Sequence, residues 1–106
     1  MTLNNKITEK SIVTYKSWIS VIRNTQTAYV QISGMYRTNT VIESGYRPST
    51  SVAIMCIGIQ NNVYFPALVT IQTNGSIICS TYYNWGQAVA PDNTISIYGN
   101  GSYTVA

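Results

Sequence analysis

The chain has 106 residues, enough for one domain with a modest core, and only six basic and three acidic residues give a net charge of +3. Hydrophobic residues make up 45%, which excludes disorder, and no apolar run approaches the roughly 18 residues of a membrane-spanning helix. Fourteen Ile, nine Val, thirteen Thr and nine Tyr against two Leu favour strands over a helical bundle or coiled coil.

Residues 1–10, MTLNNKITEK, carry Lys6, Glu9 and Lys10 and read as a lead-in without the apolar stretch of a secretory signal. Residues 11–106 read as a single β-sandwich domain, because short apolar runs recur between turn signals. Segment 11–23 fits two periods. Tyr15, Trp18, Ile19 and Ile22 have helical spacing, while Val13, Tyr15, Ser17, Ile19 and Val21 alternate. Its Ile, Val and Thr content favours a strand. In segment 27–33, Ala28, Val30 and Ile32 share one face, and Gly34 predicts a bend or bulge. Residues 38–43 predict a short strand ending at Ser44-Gly45, and Arg47-Pro48 then breaks the ladder because proline lacks an N–H and forces its predecessor extended.

Residues 50–60, TSVAIMCIGIQ, form the most continuous apolar run and predict a strand buried on both faces. Asn61-Asn62 turns the chain into VYFPALVTIQT, where Pro66 marks an edge or bulge. Asn74-Gly75 sits between two strand-like runs and predicts a type I′ hairpin, since both residues tolerate positive φ. Asn100-Gly101 repeats that pattern near the C-terminus. Residues 83–93 form the longest loop. The fold class expected is all-β, an antiparallel β-sandwich with hairpins at Asn74-Gly75 and Asn100-Gly101.

The side chains available limit the chemistry. With no His there is no Ser-His-Asp or Cys-His nucleophile and no His-bearing zinc site. Glu9, Glu43 and Asp92 are the only acids, and a glycosidase-type pair needs two carboxylates in one cleft. The chain therefore reads as a non-enzyme with no cofactor or metal. Its basic residues are spread four to fourteen positions apart, not clustered as in a nucleic-acid binder. Cys56 and Cys79 lie in apolar runs without metal-knuckle spacing. They read as two buried thiols or, alternatively, as a disulfide suited to an extracellular protein.

From Gly45 the motif GYRPS stands between two strand-like runs, and a turn of sequence NGSI follows about 25 residues later. The order AYVQISG, VIESGYRPS, VAIMCIGI, VTIQTNGSI and ISIYG, across roughly residues 12–103, resembles the small β-domains at the distal ends of phage tail and baseplate proteins. Those domains usually have Leu-Pro before the GYRPS element, where this chain has Glu43-Ser44. The resemblance implies a jelly-roll-like antiparallel sandwich, assembled as a homotrimer with other tail or baseplate proteins. It implies a virion component made in the bacterial cytoplasm and acting outside the cell, without membrane insertion. Many such domains recognise host cell-surface carbohydrate, others are purely structural, and they share no catalytic residues.

Trimerisation would cover strand edges, and a chain with 8% charged residues fits a surface partly given to such an interface. Sugar binding needs aromatic rings beside planar polar groups. Tyr82, Tyr83, Asn84, Trp85 and Gln87, with Asp92 and Asn93 beyond them, concentrate both. The same aromatics also suit packing or trimer contacts, and Trp18 reads as core or interface. Gly45, Tyr46, Arg47 and Pro48 read as a rigid structural turn, in which Arg47 bonds backbone carbonyls or Glu43. An acidic sugar or phosphate is the alternative partner for Arg47. A bacterial carbohydrate-binding or adhesin module is the alternative to a phage protein.

Overall fold

The computed structural model describes residues 11–82, 87 and 89–106. The proposed lead-in 1–10 lies outside them. Seven strands form: β1 (Ser11–Tyr15), β2 (Ile19–Asn24), β3 (Thr27–Met35), β4 (Val52–Gln60), β5 (Val63–Ile71), β6 (Ile77–Thr81) and β7 (Ser96–Thr104). They hydrogen-bond as one sheet in the order β1-β2-β3-β7-β4-β5-β6, with every neighbouring pair antiparallel. The all-β antiparallel class therefore holds. The seven strands follow one another as a continuous sheet whose inner face supplies a single core.

Local turn chemistry explains why segment 11–23 is a hairpin and not one strand. Lys16 and Ser17 both take positive φ, 48° and 68°, and the Trp18 N–H returns to the Tyr15 carbonyl at 3.2 Å. This is the type I′ geometry that matches strand twist. Asn61 and Asn62, at φ 50° and 64°, take the same positive-φ pair as a two-residue turn between Gln60 and Val63, whereas the Tyr15–Ile19 pairing leaves Trp18 as an extra residue in the first turn. At Asn74-Gly75 a hairpin does form, but only Gly75 has positive φ, at 87°. Its N–H bonds the Gln72 carbonyl at 2.8 Å, and the Gln72 N–H bonds Ser76 at 2.9 Å. That pattern is a three-residue loop with glycine at the bulge, not the two-residue turn expected.

Asn100-Gly101 is not a turn. Both residues lie inside β7, paired with Gln31 and Val30 of β3. The glycines of β7 serve close approach. A Cβ on Gly99 would stand 2.5 Å from Cys56 Sγ, and one on Gly101 would stand 3.1 Å from Ile54 Cδ1. Side chains of β4 thus lie across bare backbone of β7, where ladder pairing covers only Ile57–Ile59 against Ser96–Tyr98. Two three-stranded meanders meet along this glycine seam.

Other segments also depart from expectation. β3 runs through Gly34, at φ 137°, to Met35 without a break. Residues 38–43 form no strand, only a bridge between Val41 and Ser76. Pro66 sits inside β5, where β6 ends, and its carbonyl accepts the Tyr82 N–H at 3.0 Å.

Alternation along the strands separates two faces. The inner face buries Ile19, Val21, Ile32, Ile97, Ala67, Val69 and Ile71, with Trp18 and Ile42 closing the core from loops. Trp18 Nε1 donates to Thr40 Oγ1 at 2.9 Å, that hydroxyl donates to the Arg37 carbonyl, and Tyr36 meets the indole edge-on at 5.1 Å. Cys56 and Cys79 are buried free thiols, so the disulfide alternative is not realised. β4 is buried on one face only. Ile54, Cys56 and Gly58 point inward, while Met55 and Ile57 are exposed.

Candidate functional site

Loops gather at both ends of the sheet. β3 and β7 are nine residues each, so the ends stand roughly 27 Å apart at about 3.4 Å per residue.

At one end, the Lys16-Ser17 turn, the chain after β3 and the chain before β7 form an open pocket of about 450 Å³. It is lined by Lys16, Arg37, Thr38, Pro91, Asp92 and Asn93. Lys16 Nζ donates to the Thr38 carbonyl at 3.0 Å. Asp92 Oδ1 accepts from the Thr94 hydroxyl and, at 2.9 Å, from the Thr94 N–H. These two donors, the hydroxyl first, hold the exposed Asp92 carboxyl below the ordinary range. Gln60 Nε2 donates to the same Thr94 hydroxyl at 2.7 Å and ties the loop to the end of β4. The pocket offers cationic donors, an ionised acceptor and an amide, which can satisfy the hydroxyls or carboxylate of a small polar ligand.

The sequence-derived site is divided by this geometry. Asp92 and Asn93 line the pocket. Tyr82 is half-buried just past β6 and Gln87 is exposed. Tyr83, Asn84 and Trp85 lie outside the described residues. Lys16, Arg37 and Thr38 were not legible as site residues. Each is an isolated polar residue in the sequence, and only the turn at Lys16-Ser17 and the β3–β7 pairing bring them beside Asp92.

The GYRPS element lies at the opposite end and every residue of its turn has a structural contact. The Gly45 carbonyl accepts from Arg23 Nη1 at 2.6 Å, and the Tyr46 carbonyl accepts the Tyr103 hydroxyl. Arg47 Nε donates to the Ile42 carbonyl at 2.7 Å, and the Arg47 carbonyl accepts the Ala106 N–H at 2.9 Å. Pro48 is buried and bridges Val105. The turn fastens the chain after β7 to the loop before β4. Tyr15, the last residue of β1, packs against the core with its hydroxyl buried and unpaired. Burial, and secondarily the Glu43 charge, push its phenol up to about 12.

Glu43 belongs to this end and Asp92 to the other, so these two carboxylates do not share a cleft. Among the described residues, no three His, Cys, Asp or Glu side chains gather as a metal site. No known protein family matches the chain, and no curated protein or solved structure shows significant similarity to it.

Proposed function

We propose that this chain is a phage tail or baseplate β-domain that attaches the virion to its host by binding cell-surface carbohydrate, working as a homotrimer without enzymatic activity. The observation that carries this reading is the open pocket at one loop end that gathers Lys16, Arg37, Thr38, Asp92 and Asn93. Saccharide hydroxyls would bond Asp92, Asn93, Thr38 and the two cationic side chains. Aromatic rings from the stretch 82–85 of the sequence would supply the contacts to the sugar's C–H face.

A glycan array probed with the wild-type chain, Trp85→Ala and Asn93→Ala tests the reading. Signal on host polysaccharide that drops at least tenfold in both variants, with the fold intact by circular dichroism, is the expected result. No wild-type signal on any host polysaccharide would favour a purely structural tail module. One observation supports that second reading: the residues that resemble the phage domains most closely, Gly45 to Pro48, are all spent on backbone contacts.

A further inference from the structure

Among the described residues, the outer face of the sheet carries no charge. Outward-facing positions along all seven strands hold only Ser, Thr, Asn, Gln, Tyr, Ala, Pro, Leu, Met and Ile. The six described charged residues sit at the ends: Lys16, Arg37 and Asp92 at the pocket, Arg23, Glu43 and Arg47 at the GYRPS turn. A solvated surface is ordinarily about a quarter charged, so two dozen neutral positions in register are not what solvent alone would leave.

The centre of this face is apolar and continuous. Tyr98 of β7 stands opposite Ile57 of β4, which stands opposite Pro66 of β5. One rung away, Met35, Ser96, Ile59 and Tyr64 follow in the same sequence across four strands. Met55, Ile57 and Tyr98 keep 68%, 53% and 43% of their surface exposed, Tyr64 keeps 69% and Met35 45%. At about 200 Å² for a large side chain, these five alone offer on the order of 550 Å², against roughly 800 Å² per partner in a standard interface. Beside them, where β4 and β7 part, a groove of about 520 Å³ opens between Met55, Ile57, Pro66, Tyr98 and Asn100.

We propose that this face is the contact surface between copies of the chain, with Met55, Ile57 and Tyr98 at its centre. Symmetry explains the composition. Near a symmetry axis each side chain meets its own copy, so any charge would face a like charge. Every polar residue type on the face can both donate and accept a hydrogen bond, and so can pair with itself. Tyr and Met enrichment with charge depletion is the signature of an interface core. The inference rests on the proposed function for self-association and needs no glycan.

Sedimentation velocity between about 1 and 100 µM tests it on the wild-type chain and on Ile57→Lys and Tyr98→Lys, two exposed positions on different strands. The wild type is expected to be a homo-oligomer, and each variant to weaken association at least about 100-fold with near-UV circular dichroism unchanged. Methyl NMR of the wild type supplies a measurement independent of variant folding: Met35 and Met55 signals should shift on dilution. A wild type monomeric at 100 µM, an oligomer indifferent to both lysines, or unmoved Met55 signals during dissociation would overturn the inference. Glycan binding by a monomeric wild type would sink the surface and leave the attachment reading standing. A face-dependent oligomer that binds no glycan would do the reverse.

Discussion

Alanine at Gly99 should destabilise the fold, and trimming Cys56 should rescue it. The new Cβ would stand 2.5 Å from Cys56 Sγ, 3.1 Å from its Cβ and 3.3 Å from its Cα. The sulfur is more than 1 Å inside ordinary contact, whereas the carbons need only a few tenths of relief. Cys56 is buried, at 5% exposure, so the sulfur has little room to retreat. Overpacking of this kind costs about 2 kcal/mol. Cys56→Ala alone removes one buried heavy atom and costs about 1 kcal/mol. If the contact is as described, Gly99→Ala in the Cys56→Ala background costs about 0.5 kcal/mol, so the double variant loses about 1.5 instead of 3 kcal/mol. Urea unfolding followed by the buried Trp18, at one fixed protein concentration because oligomers gain stability by mass action, measures all four states. Additivity within about 0.5 kcal/mol would refute the close approach of β4 side chains to β7 backbone.

Alkaline pH should weaken the fold from about pH 9 upward. Burial pushes the Cys56 thiol up to about 11 and the Cys79 thiol to about 12, the latter helped by Cys56, and burial carries Tyr103 to about 12. Each acid holds its proton more tightly folded than unfolded, so its contribution is complete below the unfolded pKa and is lost as pH rises through the folded one. Urea midpoints from pH 8 to 11 should fall, by at most about 1.4 kcal/mol per pH unit for each thiol, and Cys79→Ala should flatten the decline between pH 9 and 10. A pH-independent midpoint would contradict burial of these groups. Tyr15→Phe should leave stability unchanged or raise it by up to about 1 kcal/mol, because it deletes a buried unpaired hydroxyl. Tyr103→Phe should cost about 1 kcal/mol, because it deletes the bond to the Tyr46 carbonyl. Thermal melts of the two side by side check the contrast, and equal effects would reject it.

The strand class was legible because Ala28, Val30 and Ile32 alternate and Ile, Val, Thr and Tyr dominate the chain, and Asn61-Asn62 punctuates the strands where it should. What failed was the reading of glycine. Asn-Gly at 74–75 and at 100–101 look alike, but Gly75 takes positive φ and Gly101 lies flat beneath Ile54. Nothing local distinguishes a glycine needed for its backbone from one needed for its missing side chain. Lys16-Ser17 failed in the opposite way, since neither residue advertises positive φ, yet the turn is forced by pairing Tyr15 with Ile19. The apolar run 50–60 read as doubly buried, but Met55 and Ile57 are exposed, because hydrophobicity alone does not say which face of a strand the sheet's own core covers. Two of the seven predicted site residues, Asp92 and Asn93, meet partners that only the pairing of β3 with β7 delivers.

The place of β7 has a bearing on how the chain is made. It lies between β3 and β4, yet it is the last of the seven strands to leave the ribosome. Until residues 96–104 emerge, two nascent meanders wait with unsatisfied backbone along the edges they will later share. Neither has reason to settle against the other beforehand, because β7 supplies the ladder on both sides. Assembly is therefore a late, single closing event across a long sequence separation, which sets a slow intrinsic rate and leaves sticky edges open during synthesis. Any truncation that reaches into Ser96–Thr104 should yield two disconnected halves instead of a smaller version of the same protein.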